Sequence, residues 1–372
     1  MTVCFVSHSS SDGGAERVLL ETIESLHDEG IECRVLLPSS GHFSRELMRL
    51  GIPFSVISFP LWMSRNNLSF ALRLKTALNL SKDTAQVAWR ISKWKCDVVY
   101  SNTVTVCIGA FAAKLLRLPH VWHLHEFGFE DQGLSFLFGK RWSLKVINRM
   151  SSACVCVSNA LATAYGESID ASKISVIYPS LRCLPSEYSG NGPAAPIVSR
   201  TERFRCVIVG ALIEGKGQED AVLAVSVLKK AGVDAELIVI GEGEPGYRRH
   251  LQTLAEKNQV AGSVVFTGSV PNAFPSMCSA DVVLVCSRSE AFGRVTIEAM
   301  YSGKPLIGAR SGATAELIDG GVNGLLYKTG DPEDLAAQIK YLYENPGIAK
   351  ALGTSAKKWV EQRFFENRST EK

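Results

Sequence analysis

The chain has 372 residues, 46% hydrophobic and 21% charged, enough for two domains with ample core. That composition excludes a largely disordered protein, and no run reaches the roughly 18 uncharged apolar residues of a membrane-crossing helix. Net charge is only +3, but it is unevenly spread along the chain.

The N-terminus, MTVCFVSHSS, lacks a basic start and reads as a first strand over Val3–Val6 rather than a signal peptide. It leads into SHSSSDGGAERVLLE, where Gly13 and Gly14 precede a helix predicted over Ala15–Glu29. A loop that must lie against a ligand looks like this, and so does an ordinary capped helix. Strands follow at Cys33–Leu37 and Phe54–Ile57. Residues 60–150 then hold 13 Lys/Arg against 5 Asp/Glu, together with Trp62, Trp89 and Trp94. The excess suggests an anionic partner, either a phospholipid surface or a phosphate-bearing substrate; scattered solvated cations account for it equally well.

Within that stretch come a strand at Val98–Tyr100, a helix over Ile108–Arg117 and a strand at Val121–Leu124. HVWHLHEFG puts His123 and His125 on one face of an extended segment. The HxHxDH continuation of hydrolytic metal sites is missing, so one histidine is expected as acid, base or hydrogen-bond donor and the other as structural. Strands at Cys154–Val157 and Ser175–Ile177 complete the first half. The stretch from Pro179 to Arg203 is rich in Pro, Ser and Gly without a period. It divides the chain into domains 1–180 and 204–372, with 181–203 as linker.

The alternation restarts at Cys206–Val209, followed directly by GALIEGKGQED. Its glycines allow close backbone approach and Lys216 can neutralise phosphate, but Gly217 after the lysine rules out a P-loop. After the strand Leu237–Ile240, GEGEPG matches GxGxxG. The next strand, in VVFTGSV from Val264–Phe266, ends without the acid that would hold a ribose, so a tight turn is expected. The strand Val282–Val285 then enters SRSEAFGRVTIEAM, with a helix predicted over Arg294–Tyr301. Gly293 sits near its N-terminus, where free N–H groups and the helix dipole favour phosphate. Glu290 belongs to the approach loop and Glu298 lies more than a turn inside the helix. Were the span wholly helical, the two acids would stand roughly 12 Å apart along the axis. That exceeds the roughly 5–5.5 Å of a retaining glycosidase pair and suits one elongated ligand. Strands at Pro305–Ile307 and Leu325–Tyr327 and a helix capped by Asp331 with Pro332 close the chain. Ten cysteines without a CxxC pair read as buried thiols of a reducing compartment. No Asp-x-Asp occurs, so a leaving diphosphate would rely on the helix end and Lys216. The predicted architecture is α/β, two doubly wound Rossmann-like parallel-sheet domains with ligands at the carboxyl ends of the strands, in a cleft.

Taken together, the motifs resemble the family 4 glycosyltransferases of the GT-B fold. The most specific piece is the E-x7-E element, SEAFGRVTIEAM. GGAERVLLE, DVVYSNT, HLHEF, VSNAL, VIYPS, GALIEGKGQED, IGEGE, FTGSV and GATAELIDGGVNGLL extend the resemblance over almost the entire chain. It implies retaining, metal-independent transfer of a sugar from a nucleotide diphosphate-sugar to an acceptor hydroxyl, in polysaccharide or glycolipid synthesis. The nucleotide-sugar would be a substrate, with no cofactor. The first domain would bind the acceptor and the second the donor. Glu298 would hold the ribose hydroxyls and Glu290 those of the donor sugar. Lys216 and the amides around Phe292 and Gly293 would take the diphosphate, covered by Gly13 and Gly14. His125 would approach the reacting centre, and Glu316 would lie near the donor. Two departures stand out. Ala211 occupies a position where the family often has arginine, for which Arg294 is the candidate substitute. The chain stops at EQRFFENRSTEK, where similar proteins usually continue into a helix. The implied partners are a glycan or lipid-linked acceptor and an anionic membrane surface, not nucleic acid, in the cytoplasm or on the inner face of the membrane. A nucleotide-sugar epimerase, or a catalytically weak donor-binding subunit of a glycan assembly complex, would use the same scaffold.

Overall fold

The computed structural model describes residues 1–65, 69–179 and 201–365. Most of the expected linker, 181–200, and the last seven residues therefore lie outside the described residues. The chain forms two compact units, Met1–Ser180 and Leu181–Lys372.

In the first unit the strands are β1 (Thr2–Val6), β2 (Glu32–Leu37), β3 (Phe54–Val56), β4 (Met63–Ser64), β5 (Val98–Asn102), β6 (His120–Leu124), β7 (Ser135–Phe136), β8 (Ala153–Cys156) and β9 (Ile174–Val176). Seven of them form one parallel sheet in the order β3-β2-β1-β5-β6-β8-β9, while β4 and β7 pair separately and antiparallel. In the second unit, β10 (Phe204–Val209), β11 (Ala235–Ile240), β12 (Val264–Gly268), β13 (Val282–Val285), β14 (Leu306–Ala309) and β15 (Leu325–Tyr327) form a parallel sheet ordered β12-β11-β10-β13-β14-β15. Each strand predicted from the sequence is present, with ends displaced by no more than two residues.

Both sheets follow from strands covered on two faces. All six residues of β11 are buried, and so are all four of β13. A charged pair interrupts this pattern. Arg205 and Glu236 sit opposite each other at the starts of β10 and β11, buried, with Arg205 Nε donating to Glu236 Oε1 at 2.7 Å. The order of each sheet contains one reversal, between β1 and β5 and between β10 and β13. At such a point the loops leaving neighbouring strands turn to opposite faces and open a crevice at their carboxyl ends.

Three local features differ from the sequence reading. The 24-residue helix Phe70–Lys93 was not anticipated, because Leu72, Leu74 and Leu78 of its first half are exposed and blur its core-facing period. The strands β4 and β7 are too short to carry a pattern. Trp62, grouped above with Trp89 and Trp94, is only 1% exposed; it stacks on Trp122 and donates Nε1–H to the Val104 carbonyl at 2.7 Å. It belongs to the core rather than to any docking surface. The nine cysteines among the described residues carry free thiols, all but Cys278 buried.

Candidate functional site

The crevice of the second unit lies between the loops that leave β10 and β13. The first loop ends in a single 3₁₀ turn, Glu214–Lys216, and Gly217 then caps the helix Gln218–Lys230. Gly217 has φ +64, and a Cβ there would overlap the carbonyl oxygen of Cys286 at the end of β13. Gly217→Ala is therefore expected to destabilise the second unit by about 2–4 kcal/mol, from left-handed strain plus overpacking. A denaturant midpoint equal to that of the parent protein would show that the two loops do not abut as described.

This abutment brings the candidate residues together. Lys216 Nζ donates to Glu290 Oε2 at 2.8 Å, joining the two loops, and both side chains are about one-fifth exposed at 22% and 17%. The Glu290 carbonyl accepts from Ala313 N at 2.7 Å, which ties the loop to the start of the helix Gly312–Leu317. Glu316 lies on that short helix, half-buried. Beyond Glu290 the chain enters the helix Arg294–Tyr301. Its N-cap, Gly293, has φ +83 and brings no side-chain acceptor to the first turn. The first-turn amides keep the donor capacity that makes a helix start an anion site. The Phe292 ring is buried, its centroid 6.4 Å from that of Phe364, so its contribution to a ligand is its backbone. One turn on, Arg294 Nε donates to Glu298 Oε1 at 3.4 Å, with both side chains about 15% exposed, so Arg294 does not face solvent.

The GEGEPG stretch plays a different part. Leu212 N donates to Glu242 O at 2.9 Å and Gly241 N to Gly268 O at 2.9 Å, so these loops prolong the sheet ladder before the helix Pro245–Lys257 begins. It is a turn held by its neighbours rather than a phosphate cradle.

In the first unit, the crevice between β1 and β5 holds a second set. Gly13 caps the helix Gly14–Asp28 and lies against the buried carboxylate of Glu16, which accepts from Ser11 Oγ at 3.2 Å and stands 3.6 Å from His8 Nε2. A Cβ at Gly14 would meet open space. From β5, Asn102 donates Nδ2–H to the Ala15 carbonyl at 3.1 Å and turns Oδ1 to His125 Nε2 at 2.9 Å. Asn102 thus links His125 to the start of the Gly13–Gly14 helix. Because Nδ2 is committed to a carbonyl, Oδ1 must face the histidine, and His125 carries its hydrogen on Nε2. Burial, reinforced by His123 and His8, holds His125 well below the ordinary imidazole range. The His123 ring lies 3.9 Å from that of His125 and bonds through Nδ1 to Tyr100 OH at 2.7 Å, the structural role expected of one of the two. Burial lowers His123 to about 3. Beside them Glu126 accepts from Val104 N at 3.3 Å, and burial, then Asp131, pushes its carboxyl up to about 8. Thr103, next to Asn102, has φ +77, a conformation that is unusual for a β-branched residue and commonest at functional sites.

Two family models divide the chain between them. Residues 12–181 match Glycosyltransferase Family 4, and residues 195–359 match Glycosyl transferases group 1. The chain belongs to the family 4 glycosyltransferases, with the GT-B fold. This glycosyltransferase superposes on the crystal structure of Anabaena HepE in complex with UDP with a TM-score of 0.78 and 25% identity. The match covers 98% of this chain and 96% of that one. The lipopolysaccharide core biosynthesis glycosyltransferase LpsD of Rhizobium meliloti is 22% identical over 98% of this chain and 94% of its own. An uncharacterized glycosyltransferase of Methanocaldococcus jannaschii is 27% identical over 70% of this chain and 68% of its own.

Several residues of the glycosyltransferase escaped the sequence reading. Asn102 stood within the motif DVVYSNT, two residues beyond the predicted strand end at Tyr100, with no role assigned; that β5 runs on to it and adjoins β1 is what places it. Asp220 is buried and accepts from Tyr327 OH at 2.9 Å and Gly330 N at 3.1 Å, with Arg288 Nη2 at 3.5 Å. Arg288 in turn donates its backbone N–H to Gly215 O at 2.8 Å, and its carbonyl accepts from Ser311 Oγ. The contacts of Asp220 with Arg288, Tyr327 and Gly330 span 68, 107 and 110 positions, beyond the reach of any spacing rule.

Proposed function

We propose that the protein transfers a sugar from a nucleotide diphosphate-sugar to an acceptor hydroxyl with retention of anomeric configuration and without a metal. The observation that carries this reading is the Lys216–Glu290 ion pair beside an uncapped helix start, at the reversal of the second sheet. A pyrophosphate placed there would meet Lys216 and the amides of Phe292 and Gly293, donors already oriented toward developing negative charge. Glu290 then hydrogen-bonds the sugar's hydroxyls and Glu298, held by Arg294, those of the ribose; Glu316 is a further donor contact. In the first unit Gly13 and Gly14 present backbone without side chains, and His125 is the acid, base or hydrogen-bond donor nearest the acceptor. The complexes of Anabaena HepE with UDP and with UDP-glucose support a nucleotide-sugar donor, and the name of LpsD, a lipopolysaccharide core biosynthesis glycosyltransferase, supports a glycan or glycolipid acceptor.

The test is transfer across a panel of nucleotide-sugars, with the anomeric configuration of the product read by NMR. Retention with one preferred donor is expected, in the presence of a chelator; inverted product or strict dependence on a divalent cation would contradict the proposal. Asn102→Ala supplies a finer test. With its Nε2–H no longer held, the His125 ring can rotate, and kcat is expected to fall by about 10–100-fold while the donor KM stays near its original value. An unchanged kcat would remove His125 from the reaction.

A further inference from the structure

One face of the first unit combines exposed apolar side chains with cations and takes no part in either crevice. The helix Phe70–Lys93 exposes Leu72, Leu74, Leu78 and Trp89. Lys75, Leu78, Lys82, Trp89 and Lys93 follow one another at steps of three, four or seven and so form one stripe, all exposed. The helix holds five Lys/Arg and a single acid, Asp83. Next to it the helix Lys140–Met150 contains no acid and exposes Trp142 together with Arg141, Lys145 and Arg149, while Lys140 at its start pairs with Glu130 at 3.2 Å. Leu74 and Ala77 from one helix and Phe138 and Trp142 beside the other line a groove of about 500 Å³, with Arg73 at its edge. Lys93 and Arg90 stand 5.6 and 5.4 Å from the centre of the Trp89 ring.

Leaving leucine and tryptophan side chains together in water is costly, and a contiguous patch of them marks a docking face. Charge selects the occupant. Leucines shed water at shallow depth, tryptophans favour the boundary between headgroups and acyl chains, and lysine and arginine reach from apolar stems to phosphates. We propose that this face seats the protein on an anionic phospholipid bilayer. The attachment proposed is interfacial, made by the exposed face of these two helices; among the described residues no helix is long and apolar enough to cross a membrane. The inference is independent of the donor chemistry, because no residue of the Lys216–Glu290 site takes part.

Flotation of the intact protein with vesicles tests it. Co-flotation is expected with phosphatidylcholine vesicles containing phosphatidylglycerol, not with phosphatidylcholine alone, and it should weaken as salt is raised. Each cation at such a surface contributes about fivefold to partitioning at low salt, so the triple variant Arg141→Gln, Lys145→Gln, Arg149→Gln should lose about 100-fold. Leu74→Ser with Leu78→Ser should also lower partitioning, but leave its salt dependence intact. These side chains are exposed, and an unaltered melting temperature in either variant keeps the comparison valid. Failure to float with anionic vesicles at low salt, equal binding to neutral vesicles, or wild-type partitioning in both variants would overturn the proposal.

Discussion

Glu290→Gln is expected to lower the rate of sugar transfer by about 10–150-fold, with little effect on the stability of the second unit. The carboxylate accepts from Lys216 Nζ at 2.8 Å and is held in place through its own carbonyl by Ala313 N. The amide keeps the shape but loses the charge, and hydrogen bonds to charged groups contribute about 1.5–3 kcal/mol each. Lys216→Ala should produce a loss of similar size, because in the proposed reading the ammonium neutralises the diphosphate and the helix start alone must then stabilise it. Since both residues act on one donor, the double variant should lose less than the product of the two single losses. Steady-state transfer rates of the four proteins measure this. Simple multiplication of the two effects would mean that the residues work on separate events, and full activity in either single variant would remove it from the site.

Stability of the first unit is expected to peak near pH 6.5 and fall on both sides. His120 and His123, buried at 1% and 4% exposure, are each lowered by burial to about 3, and His125 lies well below its ordinary range. Unfolded histidines bind protons near pH 6.5 while the folded ones do not, so acid favours the unfolded chain. From pH 6.5 to pH 5, His120 and His123 together cost about 3 kcal/mol, and His125 adds to that. Glu126 acts in the opposite sense. Its folded carboxyl, raised to about 8, holds a proton that the unfolded chain releases above pH 4.5. Its contribution to stability therefore declines between pH 4.5 and 8, returning about 2 kcal/mol toward acid and costing about 2 kcal/mol from pH 6.5 to 8. Five of the six tryptophans lie in this unit, so denaturant unfolding followed by tryptophan fluorescence reports it. His120→Gln should flatten the acid limb. Constant stability between pH 5 and 8 would mean that these groups are solvated.

The sheets were legible because buried parallel strands are near-continuous apolar runs, and such runs as VVLV in β13 and LIVI in β11 have few alternatives. Glu290, Glu298, Lys216 and Gly293 were legible because each lies within a few residues of a strand's carboxyl end or a helix start. What stayed hidden depends on adjacency. Asn102 matters because β5 lies beside β1, and Asp220 because its carboxylate meets Tyr327 and Gly330 across more than 100 positions. The helix Phe70–Lys93 stayed hidden for another reason: its leucines face water, contrary to the periodicity used to find helices. Trp62 shows the converse error, since neighbouring lysines and arginines in the sequence do not place a tryptophan on the surface.

The account is tested most directly by calorimetric titration of UDP and GDP, and of the corresponding nucleosides, into the parent protein and Lys216→Ala. A nucleoside diphosphate that binds the parent protein should bind the variant roughly 10-fold or more weakly, as loss of a charge-assisted contact requires, while its nucleoside is unaffected. Equal diphosphate affinity in both proteins would contradict a phosphate site between the loops of β10 and β13.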